Sequence, residues 1–350
     1  MPWGLGSGSS VTLYGSLDEG VEYITNQAVG KTTTNSARMG WGTGTSYFGI
    51  RGNEDLGGGL HAIFDLQGGL TASTGQSGQG GRLFGRQSYV GLAGNFGELT
   101  FGRQYTMRAY AIKPINPFGF GAHGLTTLDD GVANPRADNA VSYRYHIGDF
   151  EAGVNYSFGR DAVDGGSKVA TNCPGETAPS NECREYSAMA KYESRYWGLV
   201  TAWEDNYGGT SATYGGLTSP KLTDSRFVLG GYVNVDKARL GVGWIKRDNE
   251  GIATPKSNLF WFAGSLQATT TLGFATELGE LKYEDSPNKA LMIAVHAIYS
   301  LSKTSALYVS VEHLKNGGKL AIAASTLTPI VGPGAGGQQT SIIAGIRHQF

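Results

Sequence analysis

Cysteine is nearly missing from this 350-residue chain. There are two, Cys173 and Cys183, and both lie in the polar stretch CPGETAPSNEC. That count excludes a disulfide framework holding the whole fold. No histidine stands nearby, and two thiols alone do not make a zinc site. What is left is a pair of unrelated thiols or one disulfide closing a small loop. The disulfide is the expectation, and it requires an oxidising compartment.

Charge is scarce too. Asp, Glu, Lys and Arg make up 16% of the chain, against about 25% in an ordinary soluble domain. Net charge is −1 and no block of like charge occurs, so the chain carries no electrostatic footprint for nucleic acid. Long apolar runs are missing as well. The longest, Ala290–Leu301, contains His296 and Ser300 and falls short of the roughly 20 residues a membrane-crossing helix needs. Catalytic signatures are absent: the six histidines are scattered, and no GxSxG lies beside them. The expectation is no enzyme, no metal and no cofactor. The opening MPWGLGSGSS has neither a basic nor an apolar leader region. Residues 1–8 read as an added tail on a mature secreted chain, and 9–350 as one domain.

What is present in excess is glycine, 55 residues, more than double the usual share of about 7%. Alternation is present throughout. Val11, Leu13, Leu17, Val21 and Tyr23 fall on one side; Thr12, Tyr14, Ser16, Asp18 and Glu22 fall on the other; only Glu19 breaks the apolar face. Period two means a strand with one apolar and one polar face. The pattern returns at Leu60–Gln67 and at Ile342–Phe350. Runs of ten or more residues match a tilted bilayer crossing better than the five or six of a soluble strand.

The connections alternate short and long. EDLGGG at Glu54–Gly59, GNFG at Gly94–Gly97 and Asp236–Lys237 are short; Gln27–Met39, Thr106–Arg136, Arg160–Cys183 and Lys315–Gln338 are long. Barrels of the outer membrane keep short turns on the periplasmic side and long loops outside. About sixteen strands of about 11 residues use half the chain. An even count allows closure, which leaves no sheet edge. The reading is an all-β fold, a sixteen-stranded antiparallel transmembrane barrel.

Several segments then look familiar: SSVTLYGSLDEGVEY at Ser9–Tyr23, GIRGNEDLGGGLHAIFDLQ at Gly49–Gln67, GRQSYVGLAGNFGELTFGRQY at Gly85–Tyr105, RADNAVSYRY at Arg136–Tyr145, and the ending GIRHQF. Together they resemble the trimeric general porins of betaproteobacteria, across the whole chain. The likeness is most specific in the N-terminal third and the last strand; Asn206–Thr271 matches mostly by pattern. The resemblance implies a homotrimer in the outer membrane of a Gram-negative cell. Its partners would be outer-membrane lipid, lipopolysaccharide and the assembly machinery, which reads an ending such as Phe350. It also implies a third external loop folded into the pore. Thr106–Arg136 fits that loop, because KPINPFGFG is stiff and apolar and would suit water poorly.

A porin works by pore width and by the field across the narrowing. The resemblance assigns wall arginines to that field, and Arg86, Arg103 and Arg136 match. Where such porins carry a further arginine before the FG of the second strand, this chain has Tyr47; Arg38 or Arg51 are the possible substitutes. Parity turns Arg51 inward. It turns Arg103 toward lipid, with Leu99 and Phe101, unless a bulge near the strand end intervenes. The loop side carries Lys113 and no acid over Ala109–Phe120, with Asp129 and Asp130 arriving late. The expectation is a water-filled general-diffusion channel for small hydrophilic solutes and ions, mildly anion-selective. The alternative is a substrate-specific porin for sugars or small carboxylates, to which Tyr14, Tyr47 and Tyr143 would contribute a slide.

Overall fold

The computed structural model describes residues 8–161, 172–176, 182–210 and 216–350. Seven of the eight residues read as a tail lie outside that set. Sixteen antiparallel strands form one closed wall. They are β1 Ser10–Val29, β2 Thr32–Gly40 continuing as Ser46–Gly57, β3 Leu60–Thr71 and β4 Gln87–Gly94. Next come β5 Gly97–Tyr105, β6 Arg136–Ile147, β7 Phe150–Ser157 and β8 Glu185–Glu193. Then β9 Trp197–Tyr207, β10 Thr223–Val235, β11 Ala238–Asn249 and β12 Lys256–Gln267. The last four are β13 Leu272–Tyr283, β14 Lys289–Ser300, β15 Ser305–Gly317 and β16 Gln338–Gln349. A further pair of residues, Gln76–Ser77, makes a short hairpin on the end of β3 inside the second external loop.

Closure joins β1 to β16 from Ser16↔Gln349 to Ile24↔Ser341. Phe350 finishes the seam: its carbonyl accepts from the Gly15 N–H at 2.9 Å, and its own N–H donates to the Gly15 carbonyl at 3.1 Å. Its ring is half exposed on the outer rim, as an interface aromatic would be.

The second crossing is interrupted at residues 41–45. Asp18 holds the break, accepting from the N–H groups of Gly42 (2.9 Å) and Thr43 (3.1 Å) and from the Tyr308 hydroxyl (2.6 Å). The detour turns Trp41 and Thr45 toward the lumen.

Burial is inverted relative to a soluble domain. Leu13, Val90, Val154, Leu199 and Leu291 are exposed, whereas Glu22, Glu204, Glu277 and Glu312 are buried. Alternation with lipid outside produces the first set. The second set exists because the lumen is partly filled. The third external loop leaves β5 at Tyr105 and runs through α1 (Met107–Ile112), a 3₁₀ turn (Lys113–Ile115), α2 (Leu125–Leu128) and α3 (Asp130–Ala133) before entering β6. Met107, Ile112, Ile115, Leu125 and Val132 pack with Met189, Val200, Ile245, Trp261 and Met292 of the wall. This is a hydrophobic core inside the barrel. The wall makes room with glycine: a Cβ on Gly279 would sit 2.7 Å from Leu128.

Polar contacts fix the loop as well. Glu312 accepts from the Gly124 N–H (2.6 Å) and the Thr127 hydroxyl (2.8 Å), and Glu277 from the Leu125 N–H (3.1 Å). His123 bridges Ser310 and Ser341, 2.8 Å on each side. The Trp261 indole N–H donates to the Ile115 carbonyl at 3.0 Å. Cys173 and Cys183 are bonded to each other, closing a ten-residue separation in the fourth external loop.

Candidate functional site: the narrowing between wall and loops

One passage is lined on the wall side by Thr45, Arg86, Arg103 and Arg136, and on the third-loop side by Phe120, Thr126, Ala133 and Asn134. Thr326, Thr328 and Ile330 of the eighth external loop close a third side. That loop folds inward because its apolar stretch has somewhere to go: Leu327 packs with Ala122, Tyr308 and Ile343, and the Thr326 N–H donates to the Ala122 carbonyl at 3.0 Å. The sequence offered a signal for this, the apolar LAIAAS at Leu320–Ser325, which reads as out of place in a surface loop.

Aromatic rings hold the wall arginines. Arg86 lies over Tyr47 at 4.4 Å and donates from Nε to the Gln67 side chain at 2.6 Å and from Nη1 to the Thr45 hydroxyl. Tyr47 therefore does not replace a charge; it seats a neighbouring one by cation–π contact. Arg51 stands over Tyr14 at 5.0 Å, and Tyr14 meets Tyr47 edge-on at 6.1 Å. Arg136 lies over Tyr105 at 4.6 Å and donates to its hydroxyl at 2.8 Å. Tyr105 stacks on Phe120 at 5.5 Å, so ring contacts link the wall to the loop. Lys113 stands apart from this passage, in a separate cleft with Pro114, Pro117 and Arg239. Among the described residues, none of Arg86, Arg136 and Lys113 makes an ion pair with a carboxylate. Asp65 of β3 feels the charges of Arg51 and Arg86, and its two oxygens accept from Tyr14 (2.5 Å) and Gln87 (3.0 Å).

Arg103 points inward. The β5–β6 register shifts between Gly102 and Gln104, and Gly102 has φ +129°, so a bulge turns the side chain away from lipid. Its guanidinium is spent on Asp138 (2.6 Å) and the Gly85 carbonyl (2.7 Å). Arg82, which the sequence reading missed, joins it through Asp138 (3.0 Å) and Asp161 (2.6 Å).

The structure places the other sequence candidates elsewhere. Arg38 pairs with buried Glu22 and caps the Pro329 carbonyl of the eighth loop. Asp129 and Asp130 are engaged by Arg226 and Arg247, with Asp224 between them: Arg226–Asp129 is 3.1 Å, Arg226–Asp224 2.9 Å and Arg247–Asp224 2.7 Å. Arg108 and Glu204 form a second such pair at 3.1 Å, both fully buried. These groups anchor the loop. Asp129 and Asp130, the acids expected on the loop side of the narrowing, are neutralised behind it.

Comparison with known proteins gives a consistent answer. The family model described as Gram-negative porin matches residues 6–319. The outer membrane porin protein 32 of Delftia acidovorans is 30% identical, over 98% of this chain and 94% of its own. An outer membrane porin protein of Bordetella pertussis is 28% identical over the same shares. Among solved structures, an anion-selective porin from Comamonas acidovorans superposes with a TM-score of 0.79 at 26% identity, covering 98% of this chain and all of the other. A Vibrio cholerae outer membrane protein in its trimer form follows the same fold, with a TM-score of 0.69 at 15% identity.

Proposed function

Since the chain belongs to the Gram-negative porin family, and is therefore an outer-membrane channel and no enzyme, we propose that it is a general-diffusion pore favouring small anions. One observation carries this reading. Arg86 and Arg136 line the narrowing on the rings of Tyr47 and Tyr105 without a carboxylate partner, while Asp129 and Asp130 are bound to Arg226 and Arg247. Unneutralised cations at a constriction attract anions and repel cations. The anion-selective relative from Comamonas supports the same sign. Guanidinium forks on rigid rings suit planar acceptors, so small carboxylates are the solute class that fits best.

Reversal potentials in a salt gradient across a planar bilayer test the reading. The expected sign is that of a preferred anion; a cation-sided potential sinks it. Block of single-channel current by a small dicarboxylate, with none by a neutral sugar, would favour the carboxylate class over sugars.

A homotrimer is part of the same proposal. Val11, Leu13, Leu17 and Val21 form an exposed apolar outer face on β1 that a neighbouring copy would cover. Triplet closures in single-channel records would agree with it, and a monomer in light scattering would not. The half-exposed Phe350 at the seam is proposed as the ending read by the assembly machinery.

A further inference from the structure

A passage for small hydrophilic solutes has no use for an apolar lining, yet this one has it. Trp41, Phe120 and Ile330 line the narrowing together with Leu70, and all four are partly exposed. Clustered apolar surface left open to water marks a place where something apolar rests.

The apolar groups are held in place by structure that the ion preference does not require. Trp41 reaches the lumen only because the second crossing breaks at residues 41–45, where Asp18 accepts from Gly42 (2.9 Å), Thr43 (3.1 Å) and Tyr308 (2.6 Å). Its ring packs on the cluster of Ala122, Tyr308, Leu327 and Ile343. Phe120 stacks on Tyr105 at 5.5 Å. Ile330 follows Pro329, whose carbonyl accepts from Arg38.

Arg86 and Arg136 line the same passage. Arg86 commits Nε to the Gln67 side chain (2.6 Å) and Nη1 to the Thr45 hydroxyl, and Arg136 commits Nη2 to the Tyr105 hydroxyl (2.8 Å). Among the described residues, Nη2 of Arg86 and Nη1 of Arg136 have no acceptor. A carboxylate is the planar acceptor that such groups take. A few placed donors beside apolar and aromatic walls have the composition of a binding site, not of a plain conduit.

We propose that the narrowing is a binding station for aromatic monocarboxylates, solutes of the benzoate class. The carboxylate sits on the free guanidinium groups of Arg86 and Arg136, and the ring lies against Trp41, Phe120 and Ile330. The station rests on the anion-favouring reading of the pore and narrows its solute class. A ring suits these walls better than an aliphatic chain, because aromatic pairs gain from edge and offset contacts. It also has no rotamers to freeze on binding.

The test follows single-channel current through the purified full-length porin in KCl, with benzoate, acetate, benzyl alcohol or benzylammonium added. The residence time of each probe is read from the current interruptions. Benzoate should reside about tenfold longer than acetate, the worth of ring contact at two aromatic walls. Benzyl alcohol has the ring without the charge and benzylammonium has the opposite charge, so both should leave the current uninterrupted. Trp41→Ala should bring benzoate down to the acetate time, and Trp41→Phe should keep most of the difference; a merely structural effect would move both probes alike. If the Trp41→Ala pore does not fold, Ile330→Asn decides, by shortening the benzoate time about threefold and leaving acetate as it was. Equal times for benzoate and acetate in the wild type overturn the station, and an anion-sided reversal potential in KCl then leaves the pore reading standing. A cation-sided potential overturns both. Benzyl alcohol residing as long as benzoate overturns the station too, as does a Trp41→Ala or Ile330→Asn pore that keeps the full benzoate preference.

Discussion

Two sets of arginines share this lumen, and they are used in opposite ways. Arg108 of the third loop and Arg226 and Arg247 of the wall lie where loop and wall meet, Arg108 and Arg226 buried and Arg247 half-buried, each matched to a carboxylate across that contact. Arg86 and Arg136 lie on the facing wall, seated on Tyr47 and Tyr105 and left without acids. Carboxylates neutralise the first set, so it contributes position and no field. Rings hold the second set without neutralising it, so its charge reaches the passage. A cation–π contact fixes a guanidinium while keeping its charge available, which an ion pair does not. The comparison says that counting arginines is uninformative here; what each one rests on decides its effect.

The largest way to break the contrast is to strip the buried set. Arg226→Ala leaves Asp129, Asp130 and Asp224 short of a partner. Breaking a buried pair by removing one member costs about 3–5 kcal/mol. Heat-modifiability on gels should show a lower unfolding temperature, and single-channel records should become noisy as the loop loosens. An unchanged unfolding temperature would place the network outside the loop's anchoring.

Acid should act on the same seat. Burial, with His296 close by, pushes the His123 imidazole down to about 3. An unfolded histidine titrates near 6.5, so the folded loop refuses a proton that the unfolded chain accepts. The contribution of His123 is therefore complete above about pH 6.5 and is lost as pH falls toward 3. At pH 5 the loss is about 2 kcal/mol. His123→Asn should flatten the fall in unfolding temperature between pH 7 and pH 5; an unaltered slope would mean that other groups carry it.

The ring-seated set should answer in selectivity and not in stability. Arg86→Gln with Arg136→Gln should lower the anion-to-cation permeability ratio about tenfold, equivalent to about 1.4 kcal/mol, with little change in unfolding temperature. If stability falls and selectivity does not, the two sets have been assigned the wrong way round. The smallest effect comes from removing a ring and keeping the charge. Tyr47→Leu frees Arg86 at a cost of about 0.5–1 kcal/mol. Selectivity should weaken partially, and more at 1 M salt, where screening acts over about 3 Å. A Tyr47→Leu pore as selective as the wild type would show that Thr45 and Gln67 hold Arg86 unaided.

Much of this was legible in the chain, and the failures have physical causes. The sixteen crossings follow from alternation and the rhythm of turns, because a wall with lipid on one side imposes period two on every strand. The split of β2 at residues 41–45 left no such mark: Asp18, which holds it, sits on the neighbouring strand. Arg103 carried the wrong parity because one bulge at Gly102 shifts every later residue to the other face. Asp129 and Asp130 are placed at the narrowing by their position in the third loop, and no local pattern corrects that, since their partner Arg226 is 97 and 96 residues away. The inward course of the eighth loop is not legible in the chain, because its apolar stretch shows where it goes only once the Ala122 region of the third loop is in place.

By itself, then, the sequence determines a glycine-rich, alternating wall with lipid on one face and water on the other. Local stereochemistry suffices for that, since side-chain direction along a strand depends only on parity. Which charges face the passage is decided by the tertiary structure. The third and eighth loops cross the lumen and meet distant strands, and each such meeting either cancels a charge or leaves it on a ring. The field at the narrowing is the remainder after those cancellations, and no segment of the chain contains both terms of the subtraction.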